Sequence, residues 1–194
     1  ISLGLVGSEM CIRDSSCAAR EPRPPGSSAA RRSSERRVRT LVLGGIRSGK
    51  SRWAEDAAGG AGPVRYIATG RSGDGDPAWE RRIADHRRRR PSDWETVENS
   101  DVASELRAQP HTPALVDDVG GWLTAVLDRR GWDGGPIHSE VDDLLDAVQS
   151  FSATLALVSP EVGLTVIPAT AAGRRFADEL GTLNQRLAEC CDRV

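Results

Sequence analysis

Short apolar segments alternate with longer amphipathic segments from residue 40 to the end of the chain. The apolar segments have the length and composition of buried strands, and they lie at 39–44, 64–68, 94–98, 113–117 and 154–159. The amphipathic segments repeat apolar side chains at helical spacing, and they lie at 49–58, 77–89, 101–108, 119–130, 139–151 and 172–191. Because strands that alternate with helices build parallel sheets, the pattern predicts an α/β fold with a mainly parallel sheet flanked by helices.

The first 39 residues lack this alternation. Residues 1–15 contain the run LVGSEMCIRDS, which resembles a translated sequencing adapter, so we expect them to be a non-native artefact. Residues 16–39 are rich in Ser, Pro, Arg and Ala, a composition typical of a disordered leader. We expect residues 40–194 to form one catalytic domain. The CDRV ending is interpreted as the approach to a missing final strand, so we expect the domain to be truncated at its C-terminus.

Composition narrows the classes of function. The longest apolar runs fall far short of the roughly 20 residues that a membrane span needs, so we expect a soluble protein with no membrane partner. The four cysteines show no metal-ligand spacing, and a reducing cytoplasm is the expected location. Eight arginines against four carboxylates give residues 1–39 a charge of +4, which leaves −6 for the rest. An acidic domain argues against a nucleic-acid partner.

The strongest chemical signal is the segment GGIRSGKS at 44–51, which matches G-x-x-x-x-G-K-[ST] between a predicted strand and a predicted helix. Gly44, Gly45 and Gly49 permit a turn that points backbone N–H groups at phosphate oxygens. Lys50, the only lysine in the chain, is placed to bridge the terminal phosphates of a nucleoside triphosphate. The Ser51 hydroxyl is placed to hold Mg²⁺. The motif predicts a P-loop NTPase-type, RecA-like arrangement.

An acidic residue ends the predicted strand PALVD. Asp117 is the expected partner of Ser51 in holding the magnesium ion, as the acidic strand end is in P-loop proteins. Strands also end in Asp for reasons of turn formation, and the adjacent Asp118 competes for the role. Both alternatives stay open at this point.

The predicted helix at 77–89 carries the second group of candidate residues. Arg82, Asp85 and His86 share one of its faces, since they are spaced at i, i+3 and i+4. The His86 imidazole could meet a polyphosphate as a donor or as a nucleophile on phosphorus. A solvated surface face is the alternative for this histidine, and a short nucleic-acid patch is another interpretation of the arginines at 87–90.

Together these motifs resemble the bifunctional adenosylcobinamide kinase/adenosylcobinamide-phosphate guanylyltransferase family. The matching segments are LVLGGIRSGKSRWAE (41–55), YIAT (66–69), R-I-x-x-H followed by R-P-x-x-W (82–94), Asp117, VSPEVGLTVIP (158–168) and RRFADELGTLNQRLAE (174–189). The chain departs from the family pattern at Ala78, Pro160, Thr165 and Ala177, which bears on substrate contacts more than on chemistry.

The resemblance implies two reactions at one nucleotide site. In the first, GTP or ATP phosphorylates adenosylcobinamide. In the second, GTP transfers GMP through a guanylyl intermediate on His86 to adenosylcobinamide phosphate, which gives adenosylcobinamide-GDP in cobalamin biosynthesis. The resemblance also suggests a symmetric homo-oligomer, plausibly a trimer.

The site residues expected from the motifs and the resemblance fall into four groups. Lys50 and His86 are the catalytic residues, and Ser51 and Asp117 bind the metal. The nucleotide-binding set comprises Gly44, Gly45, Ile46, Arg47, Ser48, Gly49, Lys50, Ser51, Arg82, Glu98 and Asp117. A further substrate-binding or structural set comprises Glu161, Gly163 and Asp178.

Two other functions stay open from the sequence alone. A P-loop small-molecule kinase without a covalent step would leave no labelled protein after incubation with GTP. A non-catalytic or DNA-linked P-loop ATPase would bind DNA in a salt-sensitive manner, which the charge of the domain disfavours.

Overall fold

The computed structural model describes residues 37–70, 90–132, 134–164 and 166–194, which all belong to a unit spanning 35–194. The described strands are β1 (Arg39–Gly44), β2 (Arg65–Ala68), β3 (Glu95–Glu98), β4 (Ala114–Asp117) and β5 (Leu155–Pro160). The described α-helices are α1 (Lys50–Ala58), α2 (Val102–Ala108), α3 (Val119–Arg130), α4 (His138–Ser150) and α5 (Ala171–Cys190). A short 3-10 turn, Gly59–Ala61, follows α1. The predicted helix at 77–89 and the predicted leader, except for its last residues, lie outside the described residues.

The five described strands form one sheet in the order β1-β5-β4-β2-β3, and every neighbouring pair is parallel. All carboxyl ends therefore meet at one edge of the sheet, which is where ligands bind in open α/β sheets. The predicted α/β fold with a parallel sheet is confirmed. Each described element begins and ends within one residue of its predicted position.

Alternate residues of the strands face two separate hydrophobic layers, as the pleat of a β-strand requires. One layer packs against α2 to α5, and its strand residues include Leu41, Ile67, Val116 and Leu157. The other packs against α1, and its strand residues include Val42, Tyr66, Leu115 and Ala156. The sheet is thus covered on both faces, which explains the nearly continuous apolar character of its central strands.

Three helices begin at a side chain that accepts a hydrogen bond from the backbone N–H group three residues later. These N-cap residues are Asp101 for α2, Asp118 for α3 and Thr170 for α5. Such caps satisfy amide groups that the first turn of a helix leaves without a partner. Helix α1 differs, since its N-cap Gly49 offers no side chain.

The last residues of the chain run beside β1. Asp192 and Arg193 each donate a backbone N–H to the Arg39 carbonyl oxygen, and Leu41 donates its own to Arg193 at 3.0 Å. The Arg39 N–H in turn donates to the Asp192 carboxylate at 2.8 Å. Among the helices that the structure describes, none is both long and apolar enough to cross a membrane.

Candidate nucleotide site

The loop between β1 and α1 turns through two left-handed residues. Gly49 has φ +86°, which glycine adopts without strain, whereas Arg47 has φ +57° with a side chain present. A Cβ atom on Gly44 would collide with the Ser48 side chain, so this position also requires glycine. Gly45 has neither a positive φ nor a neighbour within 4 Å of a Cβ position.

The first turn of α1 points toward this loop without any side-chain cap or acidic residue. Uncapped N–H groups at a helix start carry partial positive charge, which favours a bound anion. The half-buried Lys50 places its Nζ 3.4 Å from the Gly45 carbonyl oxygen, so its ammonium group lies over the same loop. A cleft of about 690 Å³ opens beside Gly44, Lys50 and Trp53. Ile46, Arg47 and Ser48 of the loop are exposed, and of these three Ser48 lines the cleft.

A hydroxyl and a phenol converge on the carboxylate at the end of β4. Ser51 Oγ donates to Asp117 Oδ1 at 3.2 Å, and Tyr66 Oη donates to Asp117 Oδ2 at 2.5 Å. Burial, with a further contribution from the Asp117 charge, raises the pKa of the Tyr66 hydroxyl, which therefore stays a donor. Each Asp117 oxygen thus has one protein donor.

The adjacent aspartate is oriented differently. Asp118 Oδ1 accepts the Gly121 N–H at 2.8 Å as the N-cap of α3, while its backbone N–H donates to Thr69 Oγ1 at 3.0 Å. Burial raises the pKa of the Asp118 carboxyl. Of the two candidate aspartates, it is Asp117 that lies against Ser51.

Arg90 packs over the face of the Tyr66 ring, with its guanidinium carbon 3.2 Å from the ring centroid. Its Nε lies 3.7 Å from Glu55 Oε1, and its Nη1 donates to Thr96 Oγ1 at 3.1 Å. Glu55 follows Ser51 by one helical turn on α1, so both side chains approach the same region of the sheet.

The motifs assigned no role to Tyr66, and they treated Arg90 only as a member of the arginine run at 87–90 and of the family match. One signal was available, because Tyr66 is the only tyrosine in the chain and lies in a predicted buried strand. A buried tyrosine hydroxyl generally requires a hydrogen-bond partner. Which partner it finds depends on the order of the strands, which local sequence does not reveal.

The other predicted site residues lie at varying distances from the Asp117 carboxylate. Glu98 is exposed at the end of β3, and both it and Asp117 pair with Ala68 from opposite sides, which places their Cα atoms about 10 Å apart. Asp178 is exposed on α5, a helix that packs on the sheet face opposite α1. Arg82, Asp85 and His86 lie outside the described residues.

Glu161 and Gly163 form a turn next to the loop. The Glu161 carboxylate accepts the Gly163 N–H at 2.6 Å, and the Glu161 N–H donates to the Gly44 carbonyl oxygen at 3.0 Å. Behind this turn, the buried Ser159 hydroxyl bonds to Asn184 at 2.6 Å, which ties α5 to β5. Glu161 and Gly163 therefore lie beside the loop, and whether they also contact substrate stays a prediction.

The oxygen atoms of Ser51 and Asp117 are suitable ligands for a hard cation. A serine hydroxyl and a carboxylate are oxygen ligands of the kind that Mg²⁺ prefers, usually together with substrate phosphates and water. Within the described ranges, no group of three or more His, Cys, Asp or Glu side chains could hold a metal ion. The residues present fit a magnesium ion that a bound nucleotide helps to hold.

Comparison with known proteins adds an independent finding. The family model described as cobinamide kinase / cobinamide phosphate guanyltransferase matches residues 40–194. The chain is 43% identical over 164 residues to the bifunctional adenosylcobalamin biosynthesis protein CobP of Pseudomonas aeruginosa, covering 81% of this chain and 91% of the relative. It is 36% identical over 168 residues to the bifunctional adenosylcobalamin biosynthesis protein CobU of Escherichia coli, covering 79% of this chain and 92% of the relative.

Proposed function

Because the chain belongs to the cobinamide kinase / cobinamide phosphate guanyltransferase family, we propose that its Gly44–Ser51 loop binds one triphosphate tail for both of the family's reactions. The family resemblance expected from the motifs is confirmed, and with it a bifunctional enzyme of cobalamin biosynthesis. The observation that supports a single site is the convergence of Lys50, Ser51 and Asp117 at one end of the sheet.

In the kinase reaction, the loop N–H groups and Lys50 hold the β- and γ-phosphates of GTP or ATP. The hydroxyl oxygen of adenosylcobinamide forms a bond to the γ-phosphorus, and the bond from that phosphorus to the bridging oxygen breaks. GDP or ADP departs, and the hydroxyl proton passes to solvent. Ser51 and Asp117 would hold Mg²⁺, which supplies positive charge to the phosphate oxygens when it is bound.

In the transfer reaction, we assign the nucleophile to His86. A neutral imidazole nitrogen forms a bond to the α-phosphorus of GTP, and pyrophosphate departs into the loop that already holds it. An oxygen of adenosylcobinamide phosphate then displaces the imidazole and takes the GMP group. The attack requires the unprotonated form of the imidazole.

The experiment that tests this assignment is incubation of the enzyme with GTP labelled at the α-phosphate. We expect covalent label on the unaltered enzyme and none on His86→Ala, while the kinase rate of that variant stays within about threefold, because the loop is intact. His111→Ala is the matched control and is expected to retain the label.

Covalent label that persists in His86→Ala would remove this residue from the nucleophile's role. Complete absence of labelled protein, even for the unaltered enzyme, would favour the small-molecule kinase that transfers phosphate without a covalent step. Family membership disfavours the alternative of a DNA-linked ATPase.

The remaining expectations complete the proposal. We propose a cytoplasmic enzyme that uses Mg²⁺ and forms a symmetric homo-oligomer, a trimer by family resemblance, without nucleic-acid or membrane partners. Sedimentation of the purified protein measures the oligomeric state, and a monomer at working concentration would contradict that part of the proposal.

A further inference from the structure

We propose that Tyr66 is a positioning residue, whose hydroxyl holds the Asp117 carboxylate in the orientation that meets Ser51, and that Arg90 in turn holds the Tyr66 ring. The inference rests on the proposed function, since it concerns the magnesium site of the same nucleotide loop. It assigns a role to two residues that neither the loop motif nor the strand-end aspartate accounts for.

The first step concerns rotation of the carboxylate. A carboxylate with a single donor can turn about its Cβ–Cγ bond, because that torsion is broad. Asp117 has a donor on each oxygen, Ser51 at 3.2 Å on one and Tyr66 at 2.5 Å on the other. Two donors on opposite oxygens define the plane of the carboxylate. The shorter bond is the one from Tyr66, so the phenol contributes most to that orientation.

The second step concerns the phenol itself. Tyr66 is 2% exposed and packs among Ala54, Leu115 and Trp94 in the layer under α1. Its ring therefore has little freedom to move away from Asp117.

The third step concerns the outer face of the ring. The Arg90 guanidinium lies over the ring at 3.2 Å, and Glu55 and Thr96 hold that guanidinium from two sides. A cation over an aromatic face is attracted by the electron density of the ring, more strongly where water is excluded. Arg90 and Glu55 side chains are each only 8% exposed. The ring is thus confined between the sheet layer and a buried cation.

Groups that orient a metal-binding side chain typically change metal affinity by 10- to 100-fold when they are removed. Tyr66→Phe keeps the ring and removes only the donor. We therefore expect this variant to bind Mg²⁺ about tenfold more weakly in the presence of a non-hydrolysable GTP analogue, measured by calorimetry. Affinity for the same analogue without Mg²⁺ should change by less than about twofold, since the loop N–H groups and Lys50 are unaltered.

The matched control removes another buried hydroxyl, one that donates its hydrogen bond to Asn184 and not to Asp117. Ser159→Ala breaks the bond to Asn184 and is expected to leave Mg²⁺ affinity unchanged while lowering the thermal midpoint. A second variant, Arg90→Lys, keeps the positive charge but not the planar group over the ring, and we expect it to weaken Mg²⁺ binding by about threefold.

Wild-type Mg²⁺ affinity in Tyr66→Phe would overturn the proposal, even if its thermal midpoint falls, because the residue would then serve stability alone. If Tyr66→Phe does not fold, unchanged Mg²⁺ affinity in Arg90→Lys overturns it instead. Failure of the proposed function would look different, since the unaltered protein itself would show no Mg²⁺-dependent binding of the GTP analogue.

Discussion

Two neighbouring aspartates have different contacts because one ends a strand and the other begins a helix. Asp117 ends β4 and faces the α1 layer with Leu115, whereas Asp118 is already the N-cap of α3. The sequence alone did not show which of them partners Ser51, because the two side chains are identical and adjacent in the chain. The structure separates them by the direction in which each side chain leaves the backbone.

This separation predicts opposite effects for two substitutions. Asp118→Ala removes the cap of α3, so we expect it to lower the free energy of unfolding by about 1 kcal/mol and to leave Mg²⁺ affinity intact. Asp117→Asn keeps the shape of the side chain but not its charge, so we expect at least about tenfold weaker Mg²⁺ binding. Urea unfolding and calorimetry measure the two quantities. The reverse assignment of effects would show that Asp118 holds the ion.

At the scale of elements, the spacing of hydrophobic residues was the main basis for predicting the strands and helices. The described strands and helices were predictable because each is a strongly patterned segment bounded by a recognisable cap or turn. Asp101 before α2 and the glycine at the start of α1 are such boundaries. The helix predicted at 77–89 stays a prediction, since it lies outside the described residues.

The chain end beside β1 predicts a pH effect on stability. The Arg39 backbone N–H, followed by the Arg39 guanidinium, holds the pKa of the Asp192 carboxyl below its ordinary value. A carboxyl with a lowered folded-state pKa adds stability above its unfolded pKa and loses that contribution as pH falls through the folded value. Asp192→Asn should therefore lower the thermal midpoint at neutral pH, and the difference from the unaltered protein should shrink below about pH 4.

Thermal unfolding followed from neutral to strongly acidic pH measures this difference. Asp56→Asn, which alters an exposed carboxylate on α1, is the control and should track the unaltered protein at every pH. A difference for Asp192→Asn that stays constant with pH would mean that ionisation of this carboxyl does not contribute to stability.

At the scale of the whole molecule, the order of the strands assembles the site. The loop follows β1, and Asp117 ends β4. Strand β5 lies between these two strands, so α1 must extend across β5 for Ser51 to reach Asp117. Tyr66 reaches the same carboxylate from β2 on the other side of β4. These contacts join residues 51 to 117 and 66 to 117, and no local pattern specifies that pairing.

The predictable part of the site is therefore the part that is local in sequence. The loop motif and the single lysine predicted a triphosphate tail as the ligand from eight consecutive residues. The family resemblance implied the two reactions and predicted the role of His86, a residue whose sequence context alone is more typical of a solvated surface histidine. Tyr66 and Arg90 required the folded arrangement, because their roles depend on distances across strands.

The central claim is that one triphosphate site serves both reactions, and Lys50→Ala tests it most directly. Both the kinase rate and the GMP-transfer rate are to be measured on the same preparation, with Arg52→Ala as a control for loss of a nearby positive charge. We expect both rates of Lys50→Ala to fall by about 100-fold or more, because each reaction loses a cation on the phosphates. A variant that loses one activity and retains the other at the unaltered rate would contradict the shared site.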